Sequence, residues 1–346
     1  MKNRSSILIV AILIFLSGIS FYLYKTKNST STLNSDARNF KIEDTSSITK
    51  IFMADKQGRS VTLEKKNGSW VVNGKYPVRQ DGISTLLYTM RMVDVKSPVS
   101  NAAKKNTIKL MTGRSTKVEV YAGNELIKQY YVGHENPNSD GTYMILTNLE
   151  TGENFDEPFL THIPGFVGFL SVRYFIDESE WRDRVVMNYI PPNISSIKMQ
   201  MADKADSAFV IKLNSTTNFE LTKLNGQAIP FDEAKMKQYI AYFQNLSYEK
   251  LLTDASPRLV DSLTTAPPYA TLTITDKKGE TKVYNFKLKY STYELNKKYG
   301  VEYKYDPDRL YLQFDNDKET ALVQFYVFGK VMQKFAYFLP SAPVKK

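Results

Sequence analysis

The pattern of apolar positions predicts an amphipathic helix in each half of the chain. In both helices the apolar residues follow the i, i+3, i+4, i+7 spacing that places them on one buried stripe. The first stripe consists of Ile83, Leu86, Leu87 and Met90. The second consists of Met236, Tyr239, Ile240 and Phe243. A second, shorter helix is predicted after each, at about residues 102–111 and 258–263.

Strand signals surround these helices. Apolar and polar residues alternate over Val118-Glu119-Val120-Tyr121, which indicates a strand with one buried and one wet face. Leu272–Ile274 shows the same alternation in the second half. Asn73-Gly74 lies between two apolar runs and predicts a hairpin turn. The pattern therefore favours an α+β fold with a mainly antiparallel sheet covered by helices.

The two halves resemble each other in sequence as well as in pattern. SSITKIFMADK at residues 46–56 is echoed by SSIKMQMADK at residues 195–204. Val61-Thr62-Leu63 then matches Phe209-Val210-Ile211, and Val118–Val120 matches Leu272–Ile274, so the order is preserved. We interpret this as a tandem duplication that gives two similar domains.

The N-terminus predicts a membrane anchor. Residues 5–24 read SSILIVAILIFLSGISFYLY without a charge, enough helix to cross a hydrocarbon layer of about 30 Å. Lys2 and Arg4 precede the span, so the N-terminus is expected in the cytoplasm and the bulk outside. Bulky residues at the exit favour an uncleaved anchor over a cleaved signal peptide.

The predicted domains follow from these patterns. Residues 1–25 form a cytoplasmic stub and transmembrane anchor, and residues 26–45 a flexible tether rich in Ser, Thr and Asn. Residues 46–176 form the first α+β repeat and residues 177–194 an ordered linker. Residues 195–340 form the second repeat and residues 341–346 a tail.

Composition narrows the chemistry. The 346 residues include no Cys and only two His, which excludes disulfide scaffolds, thiolate metal sites and cysteine enzymes. A net charge of +10 favours an anionic partner, but the basic residues are scattered rather than clustered. We therefore expect the membrane and an envelope protein or anionic envelope polymer as partners, and neither nucleic acid, metal nor cofactor.

The segment from residue 157 to residue 192 is too apolar for a loose linker and is expected to be ordered. Its HIPGFVGFLSVRYF and EWRDR motifs, with the upstream GTYM and WVVNGKYPV, resemble the bacterial envelope family catalogued as domain of unknown function 4340. The resemblance covers about residues 40–190 well and the second copy less closely. It implies a bacterial inner-membrane protein with a periplasmic bulk and no assigned reaction, some relatives being accessory to ABC-type transporters.

A groove between the two copies is the predicted ligand or partner site. The residues expected to line it are Phe166, Phe169, Tyr174, Trp181 and Arg182. The motivation is that clefts between domains are favoured ligand sites. The function expected is a binding or scaffolding module rather than an enzyme.

Acidic residues between Asp177 and Asp183 offer an alternative, an envelope hydrolase of glycans or peptides. Two carboxylates placed about 5–10 Å apart are what a glycosidase needs. The interleaved Arg182 and Arg184 favour a structural ion-pair cluster instead. A third possibility is a purely structural spacer, which predicts no apolar groove.

The two copies differ most in an insert of the second, residues 289–309, which is rich in tyrosine. It offers either a stacking surface for sugars or a partner, or a tyrosine-faced hairpin packed on its own sheet. The two histidines, His134 and His162, lack the spacing of a metal site.

Overall fold

The computed structural model describes residues 16–20, 36–202 and 207–340. Residues 16–20 are helical, and the rest of the predicted anchor over residues 5–24 lies outside the described residues. Within the described part of the chain, no helix combines the length and the apolar character needed to cross a bilayer.

The chain divides into two compact units, Met1–Arg182 and Asp183–Lys346. Strands of the first unit are β1 Lys50–Ala54, β2 Ser60–Lys66, β3 Ser69–Val72, β4 Tyr76–Pro77, β5 Asp94–Pro98, β6 Thr116–Ala122, β7 Glu125–Glu135, β8 Thr142–Leu146 and β9 Phe159–His162. Its helices are α1 Gln80–Met92, α2 Asn101–Arg114 and α3 Glu178–Trp181.

The second unit is built in the same way. Its strands are β10 Val185–Met187, β11 Ile194–Met201, β12 Phe209–Leu213, β13 Phe219–Thr222, β14 Leu246–Ser247, β15 Lys250–Leu251, β16 Ala270–Asp276, β17 Thr281–Tyr290, β18 Tyr305–Phe314 and β19 Glu319–Gln324. Its helices are α4 Glu233–Ala241, α5 Pro257–Thr265, α6 Tyr293–Tyr299 and α7 Phe325–Phe328.

Each unit contains one large antiparallel sheet, so the predicted α+β class with antiparallel sheets is confirmed. The first sheet has the order β4-β3-β2-β1-β6-β7-β8-β9-β5. The second has the order β13-β12-β11-β16-β17-β18-β19-β15. If the two-residue strand β4 is left out, the strands of both sheets follow one another along the chain in the same spatial order. In each sheet the strand that follows the first long helix, β5 or β15, forms an edge.

At the start of the two units, the strand pairings give a residue alignment that differs from the one indicated by the repeated sequence. Ile51 pairs with Leu63 on one side and with Val120 on the other. Ile197 pairs with Ile211 and with Ile274, which are the sequence matches of Leu63 and Val120. Ile197 therefore occupies the position of Ile51, not of Ile48 as the shared letters SSI indicate.

The turns before these strands agree with the corrected alignment. A single 3₁₀ turn over Thr45–Ser47 precedes Ile48, and another over Pro191–Asn193 precedes Ile194. Both isoleucines are fully buried. The SSI and ADK matches are thus similarities of composition rather than of position.

Both predicted amphipathic helices form and bury most of their expected stripes. Leu87 is half-buried, and Phe243 is buried but follows the end of α4. In α1, Ile83, Leu86 and Met90 pack into the core of the first unit. In α4, Met236, Tyr239 and Ile240 do the same in the second unit. The Asn73-Gly74 turn also forms, with both residues at positive φ between β3 and β4.

The tether prediction is wrong for residues 36–45, while residues 26–35 lie outside the described part. Phe40 is 1% exposed and packs edge-on against Tyr130 and Phe159. The Ile42 N–H donates to the Met90 carbonyl over 2.9 Å. This segment is therefore core of the first unit, held by the apolar side chains of Ala37, Phe40 and Ile42 in a polar sequence.

In each unit, an aromatic residue near the end of the unit accepts a backbone hydrogen bond from the residue that precedes the first long helix. The backbone N–H of Arg79, which precedes α1, donates to the Trp181 carbonyl over 2.8 Å. The N–H of Asp232, which precedes α4, donates to the Phe338 carbonyl over 2.8 Å. Both aromatic side chains are fully buried. The first unit therefore continues through Trp181, beyond the boundary predicted at residue 176.

Candidate functional site

Three of the five predicted groove residues keep some exposed surface in the first unit. Phe166 is 38% exposed, and the Arg173 guanidinium lies 4.4 Å from the centre of its ring. Phe169 is half-buried. The Arg182 guanidinium lies 3.6 Å from the centre of the Tyr76 ring.

The other two predicted groove residues, Tyr174 and Trp181, are core side chains. Trp181 is 0% exposed, its indole N–H donates to the Phe175 carbonyl over 2.9 Å, and its ring centre lies 4.1 Å from that of Phe175. Tyr174 is 2% exposed and its hydroxyl lies 3.4 Å from that of Tyr130. Trp181 is therefore a packing residue and not the groove lining that the sequence predicts. Tyr174 also packs in the core, but it borders a cavity of about 550 Å³ in the first unit, next to Arg114 and Phe175.

Three of the acidic residues from Asp177 to Asp183 accept hydrogen bonds from other residues of the fold. Asp177 precedes α3 and accepts a 2.9 Å hydrogen bond from the Ser179 N–H, which is ordinary N-capping. Glu178 accepts a 2.7 Å bond from the side-chain amide of Asn73. Asp183 accepts from the Val185 N–H over 3.1 Å. These contacts explain the acids by structural roles.

The two histidines lie on different strands of the first unit. His134 is in β7, and its ring centre lies 5.1 Å from that of Tyr143. His162 ends β9, opposite Asp94 of β5. Among the described residues, no group of three or more His, Cys, Asp or Glu is arranged to hold a metal ion.

A cavity of about 610 Å³ lies in the second unit, between α5 and the strands β17 and β18. Helix α5 contributes Leu259, Ser262 and Leu263 to its wall. Pro267 and Tyr269 follow from the segment after the helix. Cavities of about 300–1,000 Å³ with mostly apolar walls and a few polar groups are the usual form of small-molecule sites.

The strands supply the opposite wall and most of its polar atoms. Their contributions are Lys287, Lys289, Tyr290, Tyr305 and Tyr311. Lys287 pairs with Tyr311 and Tyr290 with Tyr305 across β17 and β18. The Tyr290 and Tyr305 ring centres are 5.2 Å apart, with the rings tilted by 35°.

The cavity is found where the two units pack differently. Tyr130 pairs with Val118, and Tyr284 pairs with Leu272, the residue that matches Val118. Tyr130 and Tyr284 are therefore equivalent, and so are Gly133 and Lys287, each three residues further along its strand. At Gly133 a Cβ would come within 2.8 Å of Met111 of α2 and 2.9 Å of the Tyr143 carbonyl. The helix of the first unit thus packs directly on its strand.

In the second unit the corresponding helix is shorter. Helix α2 has 14 residues and α5 has 9, and both begin after a serine, Ser100 and Ser256. Pro267 and Pro268 prevent α5 from continuing, because proline excludes the helical conformation of the residue before it and lacks an N–H. Helix α5 therefore lacks the helical turn that would carry a counterpart of Met111, and the cavity lies where that turn would be.

Lys287 holds the end of this shorter helix. Its side-chain ammonium donates to the Leu263 carbonyl and, over 2.8 Å, to the Ala266 carbonyl. These are carbonyls at the helix C-terminus, which have no partner within the helix and attract cations. Burial lowers the pKa of Lys287 from its ordinary value. The lysine is thus fixed by the fold, with its aliphatic stem along the cavity wall.

The second lysine of the wall is also paired. Lys289 Nζ lies 2.8 Å from the carboxylate of Asp306, which is 3% exposed. Burial raises the pKa of Asp306, but the hydrogen bonds from Lys289 and from the N–H groups of Asp308 and Arg309 outweigh it, so the pKa lies below its ordinary value. Both cations of the wall therefore already have acceptors.

The tyrosine insert stands next to this cavity. Its residues 293–299 form α6, so the insert is not a hairpin throughout. Thr292 caps this helix and also lines the cavity. Exposed tyrosines in and beside the insert are Tyr290 at 63%, Tyr293 at 77%, Tyr299 at 40% and Tyr303 at 39%. These rings are available for contact with a ligand or partner.

Sequence reasoning identified the insert but missed the cavity. One signal was present in the sequence, the Pro267-Pro268 pair that shortens α5. Lys287 gave no signal, because strand alternation places it on the face of β17 opposite the core residues Tyr284 and Phe286. Only the structure shows that it reaches the carbonyls at the end of α5.

Comparison of the chain with protein-family models, with curated proteins and with solved structures finds no match. The resemblance to the family of unknown function therefore stays a prediction based on the quoted motifs.

Proposed function

We propose that this chain is a membrane-anchored, extracytoplasmic binding or scaffolding protein of the bacterial envelope that performs no catalysis. Its binding site is the cavity between α5, β17 and β18 in the second unit. The observation that carries the proposal is this cavity of about 610 Å³, walled by an apolar helix face and tyrosines.

The comparison of the two units supports this assignment. Their shared strand order favours descent from one duplicated unit. A duplicated fold keeps its core while function diverges in loops and helix ends. The cavity and the tyrosine insert are both found where the second copy departs from the first, which is where an acquired function is expected.

The anchor rests on sequence alone. An uncharged stretch over residues 5–24, preceded by Lys2 and Arg4, is what a single-pass protein with a cytoplasmic N-terminus requires. The resemblance to an envelope family agrees with that placement and suggests an accessory role beside an ABC-type transporter or surface machine. A periplasmic location is therefore part of the proposal.

Two rivals are less well supported. A hydrolase acting through the acids near Asp177 to Asp183 would need carboxylates directed at a substrate, whereas Asp177 caps a helix and Glu178 accepts from Asn73. A structural spacer gives no reason for an apolar cavity of this size.

Photo-crosslinking in cells tests the proposal without assuming the ligand. The variant carries p-benzoylphenylalanine in place of Tyr290, which is 63% exposed at the cavity wall. A matched control carries it in place of Tyr88, which is 52% exposed on α1. Irradiation of the Tyr290 variant should give an adduct of defined mass, measured on the intact protein.

The specificity of that adduct decides the outcome. Adding Ser262→Trp, which fills the cavity from α5, should abolish the adduct at position 290, and the control at position 88 should give none. An adduct that survives Ser262→Trp, or no adduct at position 290, contradicts a binding function of this cavity.

A further inference from the structure

The chemistry of the cavity wall restricts the class of ligand, provided that the proposed binding function holds. One wall is the apolar face of α5, and the opposite wall carries Tyr290, Tyr305 and Tyr311. Tyrosine combines an apolar ring face with a hydroxyl group that needs a hydrogen-bond partner when it is covered. A ligand that covers these rings must therefore be apolar on its faces and polar at its edges.

Charge restricts the ligand further. The Lys287 ammonium is bound by the carbonyls of Leu263 and Ala266, and Lys289 is paired with Asp306. Recruiting either lysine to an anionic ligand would leave buried carbonyls or a buried carboxylate without a partner, which is costly. Neither Lys287 nor Lys289 is thus readily available to an anionic ligand.

We infer that the cavity binds a neutral oligosaccharide. A pyranose ring has apolar C–H faces and a rim of hydroxyl groups, which match tyrosine rings and tyrosine hydroxyls. Tyr290 and Tyr305 lie side by side across two strands, 5.2 Å apart, and present neighbouring ring surfaces to successive sugar units. A volume of about 610 Å³ admits an oligosaccharide of two to three residues at the scale of ordinary ligand sites.

Two other ligand classes fit less well. An acyl chain would match the face of α5 but would cover tyrosine hydroxyls without giving them a hydrogen bond. A proline-rich peptide docks along aromatic grooves as an extended helix, whereas Tyr290, Tyr305 and Tyr311 lie together on two neighbouring strands.

Isothermal titration of the full chain tests the inference, in a detergent without a sugar head group. The neutral probes are triacetylchitotriose, cellotriose and maltotriose, and the rival probes are trigalacturonate, hexanoate and hexaproline. At least one neutral trisaccharide should bind in a one-to-one ratio, and each rival probe should bind at least tenfold more weakly.

Variants locate the binding. Tyr290→Ala should weaken the trisaccharide at least tenfold, whereas Tyr290→Phe, which keeps the ring, should stay within about threefold. Tyr88→Ala, on α1 of the first unit, should leave the affinity unchanged.

The inference is overturned if no neutral trisaccharide binds, if a rival probe binds more tightly, or if Tyr290→Ala has no effect. If the titrations fail in any of these ways, but the Tyr290 variant forms an adduct that Ser262→Trp abolishes, the cavity still has a binding function for another ligand. If the Tyr290 variant forms no adduct, the binding function itself is contradicted.

Discussion

Trp181 has a fully buried side chain that joins the end of the first unit to its core. Its carbonyl accepts from Arg79 at the start of α1, its indole N–H donates to Phe175, and its ring is 0% exposed. From the sequence, Trp181 was expected to line a groove between the two copies. Burial by residues far away in sequence, such as Arg79, is invisible to local pattern.

Replacing Trp181 tests the packing role. Trp181→Ala should lower the free energy of unfolding by about 3–5 kcal/mol, because a large aromatic leaves a cavity in a close-packed core. Val167→Ala, at a side chain that is 90% exposed, should change it by less than about 0.5 kcal/mol. Urea denaturation followed by circular dichroism measures both. A Trp181→Ala protein as stable as the control would indicate that this ring is not core.

At the scale of elements, the periodicity of apolar residues predicted the helices and a turn, which depend mainly on residues close together in sequence. The stripes of α1 and α4 and the turn at Asn73-Gly74 formed where the spacing indicated. The pairing of Ile197 in the place of Ile51 did not follow from matching letters. Register is set by cross-strand partners, and a shift by a few residues preserves enough of the alternation to mislead sequence comparison.

The end of α5 depends on one side chain from a different element. Lys287→Met removes the ammonium that binds the Leu263 and Ala266 carbonyls but keeps an unbranched apolar stem. Hydrogen bonds to a charged group contribute about 1.5–3 kcal/mol, so amide exchange in α5 should accelerate about tenfold or more.

Hydrogen-exchange mass spectrometry of peptides covering residues 257–265 measures this acceleration. Lys282→Met is the matched control, since that side chain is 56% exposed on the same strand and forms an ion pair with the exposed Glu280. Unchanged exchange in the Lys287→Met protein would show that the lysine does not stabilise the helix end.

At the scale of the whole molecule, the sequence predicts an anchor at one end and two related units after it. A C-terminal fusion of alkaline phosphatase to the full chain tests the placement, because this enzyme folds to an active form only outside the cytoplasm. The fusion should be active and remain in the membrane fraction after a carbonate wash. Removing residues 1–25 should abolish both properties, and an active, washed-off full-length fusion would contradict the anchor.

The described residues form two units with a similar strand order, and the second unit holds a cavity beside α5. The α+β class followed from alternation and helical spacing, both of which are local. The cavity required Lys287 to meet the end of a helix that two prolines shorten, which is a tertiary event. The tyrosine insert next to it was visible in the sequence, but not the space beside it.

The central claim is that α5 leaves an open cavity where α2 packs closely on its sheet. The chain contains no cysteine, so single cysteines report on this directly. Leu263 lines the cavity and Thr107 is the equivalent residue of α2 counted from the serine caps, with exposures of 5% and 4%. Leu263→Cys and Thr107→Cys in the full chain are treated with 2-aminoethyl methanethiosulfonate, and modification is followed by intact mass. The account predicts that the cysteine at position 263 reacts at least tenfold faster, and equal rates would contradict it.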